Sequence, residues 1–281
     1  MFANVSTFAE AEGALALVKA AEEAGIESLW TVEHVVVPSG YQSTYPYSSS
    51  GRMPGSEDSP IPDPFIWLAF VASVSSRVKL GTGVVILPER NPVITAKEVA
   101  SLDQLSGGRV LLGVGAGWLE EEFDALGVPF ERRGDRLDEY IAALRALWTE
   151  DRATFEGEFV SFRDCILRPR PVKGTVPIHV GGHTERAARR AGRLGDGFFP
   201  VVKTPESLEP LLVTMRAAAE EAGRDPDAVE VTATSSRDVE TIKRYEDLGV
   251  RRCVVPPPTY DPQKIGPALA AFSAEVMAKV S

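Results

Sequence analysis

The sequence predicts an α/β fold, a single (β/α)8 barrel over residues 1–281. Three observations carry that expectation. Short runs rich in Val, Ile, Leu and Phe alternate with helix-period segments along the whole chain. The runs show little polar alternation, as strands covered on both faces do. No dinucleotide-binding fingerprint accompanies them, which ranks a barrel above a doubly wound open sheet.

Seven strands read directly as Ser28–Glu33, Val78–Ile86, Arg109–Val114, Val176–Gly181, Asp196–Val201, Ala228–Thr234 and Arg252–Pro256. A barrel needs eight, so the first is Met1–Asn4, a short strand directly before the first helix. Its shortness suggests a chain that starts late relative to its relatives. The helices between the strands carry their own punctuation. Thr7 and Glu10 have capping-box spacing and Gly25 closes that helix. Asn91-Pro92 sets a cap before a proline at the first helical position, and Gly107-Gly108 ends the segment. Thr204-Pro205 opens a helix with Leu208, Leu211, Leu212 and Met215 on one face and Gly223 as its stop. Ser236–Leu248, closed by Gly249, spaces Val239, Ile242 and Tyr245 as a buried stripe, and Asp261-Pro262 opens the last helix.

Two stretches break the rhythm and are expected as insertions after strands two and four. Residues 35–62 form a long Pro-, Gly-, Ser- and Tyr-rich loop, placed on the active face because it follows a strand's C-terminal end. Residues 118–177 hold a helix with Leu137, Tyr140, Ile141, Leu144, Leu147 and Trp148 on one stripe. A hairpin over Thr154–Phe162 around Glu156-Gly157 follows it.

Composition narrows the function. Forty acidic residues against thirty basic ones argue against nucleic-acid or anionic-membrane binding, which needs clustered Lys and Arg. Cys165 and Cys253 form no disulfide framework or CxxC pair, which suits a reducing cytoplasm. No signal-peptide pattern or membrane-length apolar run is visible. The three histidines are not spaced as metal ligands, and no P-loop, GxSxG or HExxH motif occurs.

Four strand ends qualify for chemistry. Glu33-His34 ends strand two, where an imidazole exchanges protons near neutral pH and a neighbouring carboxylate tunes it; a histidine that merely ties down the loop is the alternative. Glycines around Gly81-Thr82-Gly83-Val84 mark a bulge, a close approach to a ligand, or tight barrel packing. Gly113–Trp118 lacks the last glycine and the helix of a dinucleotide loop. Gly115 beside a planar ring fits there, with Trp118 as a pocket wall or simple packing. Gly181-Gly182-His183-Thr184 precedes a helix, whose free N–H groups bind anions, with Arg186, Arg189 and Arg190 nearby; a capped turn is the alternative.

These residues resemble the bacterial luciferase-like superfamily, and its branch of deazaflavin (coenzyme F420)-dependent oxidoreductases in particular. The likeness rests on Ser28–His34, Lys79–Leu87 with Asn91-Pro92, Leu102–Arg109 with Leu112–Trp118, and Gly181-Gly182 with Arg190–Phe198. It implies that His34 faces the cofactor ring as proton-transfer group, with Glu33 where many members have Asp. It implies a non-proline cis peptide at Gly83-Val84 behind the central ring, and Gly181, Gly182, His183 and Thr184 near the cofactor phosphate. Asn4 is expected to reach the pocket, and Lys203 to meet anionic groups. Tyr41, Tyr45, Tyr47 and Arg52 of the long loop would close over a small-molecule substrate. Trp118 stands where some dehydrogenases of this branch carry a catalytic Glu, which speaks against their sugar-phosphate mechanism here.

The expected activity is hydride transfer between F420 and a small organic molecule, in a cytoplasmic homodimer. The rival is a flavin mononucleotide (FMN) monooxygenase served by a partner reductase. Readings of other classes are a non-catalytic flavin- or deazaflavin-binding protein and a cofactor-free barrel isomerase.

Overall fold

A computed structural model describes residues 1–280. In chain order the elements are α1 Ala11–Ala24, β1 Ser28–Thr31, α2 Pro64–Ala72, β2 Lys79–Thr82, β3 Val85–Ile86, α3 Pro92–Ser106, β4 Val110–Gly115, α4 Glu120–Leu126, α5 Arg133–Thr149, β5 Ala153–Glu156, β6 Ser161–Cys165, β7 Ile178–Gly181, α6 Glu185–Leu194, β8 Gly197–Phe199, α7 Pro205–Glu221, β9 Glu230–Thr234, α8 Val239–Asp247, β10 Val250–Val254 and α9 Ile265–Glu275. Parallel pairing runs β1-β2-β4-β7-β8-β9-β10, with β3 on β4.

Residues 1–4 bridge the two ends of that sheet. Trp30 N donates to Met1 O at 2.8 Å, Ala3 N to Trp30 O at 2.9 Å, and Phe2 N to Val255 O at 3.3 Å. The short first segment therefore supplies the eighth position, and the open-sheet alternative falls.

Side-chain alternation sorts the core into two layers. Leu29, Leu80, Leu112, Val114 and Phe198 pack outward against the helices. Trp30, Leu111, Phe199 and Val254 form a separate inner cluster with Phe2 and Val84 against it. Successive residues of one strand face opposite sides, so neighbours such as Leu111 and Leu112 join different layers. Val84 thereby forms the top of the packed barrel interior.

Several caps match the sequence reading. Asn91 accepts from Val93 N and Ile94 N, Thr184 from Ala187 N, and Thr204 closes a capping box with Ser207. Gly25 and Gly107 end α1 and α3 in the left-handed conformation, at φ 74° and 70°. The stripe of α5 is buried as expected, and α5 packs between α3 and α6 as the fourth barrel helix. The additions after β4 are therefore α4 and the β5–β6 hairpin.

Other expectations need correction. Thr7 does not cap α1. It lies in a 3-10 turn, Ser6–Ala9, and its hydroxyl donates to Tyr260 O, so Glu10 begins the helix without a side-chain cap. The stretch 78–86 is not one strand, because the chain leaves the ladder at Gly83-Val84, where the peptide is cis. Helix α8 starts after Asp238, which accepts from Thr241 N, and α9 starts at Ile265 rather than at Pro262.

The long loop after β1 has a small core of its own. Tyr41, Met53 and Leu119 are buried together, against Val37, Tyr45 and Trp118. Glu121 of α4 accepts from Gln42 N at 2.5 Å and Ser43 N at 3.0 Å, tying the loop to the barrel rim. Among the described residues no helix is long and apolar enough to cross a membrane.

Candidate active site

A cavity of about 910 Å³ opens at the C-terminal ends of the strands. Its size lies at the upper end of the roughly 300–1,000 Å³ typical of small-molecule sites. Its floor is Val84. A Cβ on Gly115 would stand 2.6 Å from Val84 Cγ2, and one on Gly181 would stand 2.7 Å from Val84 Cγ1. Both positions thus need glycine for Val84 to occupy this place. The result is a flat apolar ledge framed by two strand ends.

His34 stands at the edge of this cavity at the end of the β1 strand path. Its Nδ1 lies 2.7 Å from Glu122 Oε2, with the two side chains 11% and 1% exposed. Glu122 also accepts from Val35 N at 2.5 Å and Val36 N at 3.2 Å. A carboxylate facing Nδ1 keeps a proton on that nitrogen, so Nε2 is the atom left for chemistry. Glu33 is not the tuning partner. Its carboxylate receives Arg90 Nε at 2.7 Å, Arg90 Nη2 and Ile86 N. Burial pushes the Glu33 carboxyl upward and Arg90 opposes it. Three N–H donors on its oxygens argue for the ionised form.

At the opposite wall, Gly181–Thr184 leads into α6, and His183 Nδ1 is buried without a hydrogen-bond partner. Two arginines join this wall. Arg133 donates through Nε to Gly117 O at 3.1 Å and lies 3.7 Å over the Phe130 ring. Arg190 pairs with Asp138 and donates to Gly134 O at 3.0 Å.

Above the ledge runs a strap of aromatic edges. Tyr45 meets Trp118 at 5.1 Å and Tyr47 at 5.3 Å, and Tyr47 meets His183 at 4.9 Å. Such contacts are worth about 0.5–1.5 kcal/mol each beyond burial. Burial holds the Tyr47 hydroxyl up at about 12, with Tyr45 adding to it, so it stays a donor.

The structure brings His34, Glu33, Gly83, Val84, Gly115, Trp118, Gly181, Gly182, His183, Thr184 and Tyr45 to one cavity. Four expected residues lie outside its lining. Asn4 is fully buried, donating to Val32 O at 2.9 Å and Pro62 O at 3.2 Å and accepting from Val32 N at 2.7 Å, so it pins the loop's two ends. Tyr41 is spent in the loop core, where its hydroxyl accepts from Met53 N at 3.1 Å. Arg52 donates to Tyr41 O at 2.6 Å and covers its ring at 4.5 Å. Lys203 is exposed after β8. Sequence reasoning missed Glu122 and Arg133. No described group of three or more His, Cys, Asp or Glu could hold a metal ion.

The sequence profile of the luciferase-like monooxygenase family matches residues 3–238. The chain belongs to the luciferase-like monooxygenase family. It is an enzyme of that family, and its relatives include F420-dependent oxidoreductases. One is the F420-dependent glucose-6-phosphate dehydrogenase of Kineococcus radiotolerans, 34% identical over 218 residues, 75% of this chain and 59% of that enzyme. Among solved structures, the coenzyme F420-dependent tetrahydromethanopterin reductase of Methanopyrus kandleri superposes with a TM-score of 0.77 at 19% identity, covering 100% of this chain and 98% of that one. The oxygenating constituent of the 3,6-diketocamphane monooxygenase of Pseudomonas putida, in complex with FMN, gives 0.64 at 19% identity over 82% and 62%. Both structures share the barrel of this luciferase-like chain.

Proposed function

We propose that the chain transfers a hydride between a deazaflavin of the F420 type and a small organic substrate, with His34 as proton-transfer group. The observation that carries this reading is the Val84 ledge, cleared by Gly115 and Gly181, beside a histidine whose inner nitrogen is held by a buried carboxylate. A planar tricycle fits such a ledge, and no side chain of the two glycines competes for the space. When bound, a deazaflavin supplies two electrons as hydride and reacts poorly with oxygen.

The chain's own residues do the rest. Val84, Gly115 and Gly181 support the ring. The N–H groups opening α6 take the phosphate end, with Arg133 as the nearby cation. Glu122 orients His34, and Nε2 gives or takes the proton, a contribution of about 10²–10⁴-fold to the rate. Tyr45, Tyr47 and Trp118 exclude water. A cytoplasmic homodimer remains part of this reading.

The FMN monooxygenase is the rival, supported by the FMN-bound structure of the same fold. Titration of the purified protein with F420 and with FMN, side by side, separates them. F420 is expected to bind more tightly, and the reduced complex to consume little oxygen. His34→Ala is expected to keep cofactor affinity and lose turnover by at least about a hundredfold. Binding of neither compound would end the redox reading, and unchanged turnover in His34→Ala would remove His34 from the proton path.

A further inference from the structure

The cavity has two unlike ends. Among the described residues of its lining, the only lysine or arginine side chains are Arg133, which opens α5, and Arg190 of α6. Both belong to the wall of Gly181–Thr184. The end at His34 is built differently. Trp118 meets the His34 ring at 5.8 Å and the Tyr45 ring at 5.1 Å. Met53 packs in one cluster with Tyr45 and Trp118. Ile61 comes beside Val32, because Asn4 donates to both Pro62 O and Val32 O. Ile86 is held to Glu33 through its N–H. Tyr45, Met53, Ile61, Ile86 and Trp118 all line the cavity with His34.

The charge at this end is negative. Glu33 lines it, and Arg90 lies behind, outside the lining, shared by Glu33, by Asp63 at 2.7 Å and by Glu98 at 3.8 Å. Glu122 stands behind His34. Glu89, next to Arg90 in sequence, lies in the fields of Glu33 and Glu122. Acids therefore outnumber the one guanidinium, and no described Lys or Arg faces the space beside His34. An anion entering here would leave water and meet like charge with no partner, and both effects oppose its binding.

We propose that the substrate is an uncharged, largely apolar molecule that presents a neutral oxygen to His34, and that this end of the cavity rejects carboxylates and phosphates. This rests on the reading of His34 as proton-transfer group and of the α6 wall as the seat of the coenzyme's anionic tail. The charges divide the cavity accordingly: the tail takes the arginines, and the substrate takes the apolar corner. Tyr45 adds a donor there. Burial raises its hydroxyl above the ordinary tyrosine value, so it keeps its proton and can donate to a carbonyl or hydroxyl oxygen. Met53 and Ile61 set the specificity, because they stand where an acidic substrate would need a cation.

The compounds 2-naphthamide and 2-naphthoate have nearly the same shape, and at pH 7 only the second is charged. Their affinities are measured by isothermal titration in inorganic phosphate buffer, which occupies the arginine wall, first without coenzyme and then with F420 or FMN bound. The amide is expected to bind at least about tenfold more tightly than the carboxylate. Ile61→Lys supplies the missing cation at a half-buried loop position and is expected to raise naphthoate affinity at least about tenfold while weakening the amide. Trp118→Ala is expected to weaken the amide at least about fivefold. Equal or tighter binding of naphthoate by the wild type, failure of both probes to bind, or a naphthoate affinity that Ile61→Lys leaves unchanged overturns the proposal. Should Ile61→Lys not fold, Trp118→Ala decides, because an amide affinity it leaves unchanged places the probe away from His34 and overturns the proposal. The first titrations need no coenzyme. Failure of F420 and FMN to bind would end the redox reading and leave this test standing, and the charge preference can fail while a coenzyme binds.

Discussion

Glu122→Gln separates a structural carboxylate from one that sets a tautomer. One Glu122 oxygen faces Val35 N and Val36 N, and the other faces His34 Nδ1 at 2.7 Å. The amide of Gln has one acceptor and one donor end. If the donor turns to the backbone, it meets two N–H groups. If it turns to His34, the ring must accept at Nδ1 and carry its proton on Nε2, which then cannot act as a base. Either way one charge-assisted hydrogen bond is lost, about 1.5–3 kcal/mol. A group that holds a catalytic imidazole in the right tautomer is worth up to about 10⁴ in rate. The expected outcome is a lower denaturation midpoint by urea, read from tryptophan fluorescence, and a kcat reduced about 10²–10⁴-fold. Cofactor affinity should stay within about twofold, because Glu122 touches neither the ledge nor the α6 end of the cavity. A kcat within about threefold of wild type in a folded, cofactor-loaded variant would refute the tautomer argument. So would equal losses in cofactor affinity and rate.

Two further outcomes follow from single contacts. Gly115→Ala or Gly181→Ala places a methyl under 3 Å from Val84, so Val84 must shift and tilt the ledge. Overpacking of this kind costs about 1–3 kcal/mol of stability, and F420 or FMN affinity by fluorescence titration should fall at least about tenfold; unchanged affinity would move the ring off this ledge. His179 gives a pH test. Burial, its largest influence, lowers the ring from 6.5 to about 4. Between these values the unfolded chain binds a proton that the folded one refuses. Its stabilising share is present above about pH 6.5 and is lost as pH falls towards 4, with a slope of up to about 1.4 kcal/mol per pH unit for one proton. Urea midpoints measured from pH 7 to pH 4.5 should flatten in His179→Gln, and an identical slope would place the acid limb elsewhere.

The barrel was legible because its signals are local. Apolar runs, caps such as Asn91 and Thr204, and terminating glycines each act within a few residues, and the structure keeps them. The strand-end positions of His34, Gly83, Gly115 and Gly181 follow from that order alone. What the sequence hid was pairing across distance. Glu122 sits 88 residues from His34, inside Glu120-Glu121-Glu122, which reads as a solvated helix start. Only the fold reveals that the third of these acids is buried while its neighbours serve the loop or face outward. Glu33 was misassigned for the converse reason. Its carboxylate turns to Arg90 and Ile86 N while His34 turns to Glu122, so adjacency in sequence brings no contact with the ring. Tyr41 and Arg52 were misread because a Tyr-rich loop can use its aromatics to hold itself together, and this one spends Tyr41 in doing so.

Two buried charge clusters show how structural and functional polarity differ in this chain. In the first, Arg252 reaches Glu27 at 2.6 and 2.8 Å, pairs with Glu230 and meets Thr232 at 3.0 Å. Every guanidinium nitrogen there has a protein partner. Its neighbour His179 is neutral above about pH 4, and none of these groups lines the cavity at the strand C-termini. A guanidinium engaged in this way fixes register and has nothing left to offer a ligand, while His179 Nδ1 beside it is buried without a partner and away from that cavity. The Arg90 cluster is built from the same residue types, but its Glu33 lines the cavity beside His34. Glu89 Oε2 has no donor, and His34 Nε2 faces the cavity because Glu122 occupies the other nitrogen. Leaving a buried polar atom unpaired costs about 1–3 kcal/mol, a cost the chain carries at Glu89 Oε2 in this cluster and at His179 Nδ1 in the other, so an unpaired atom alone does not separate a functional cluster from a structural one; access to the cavity does.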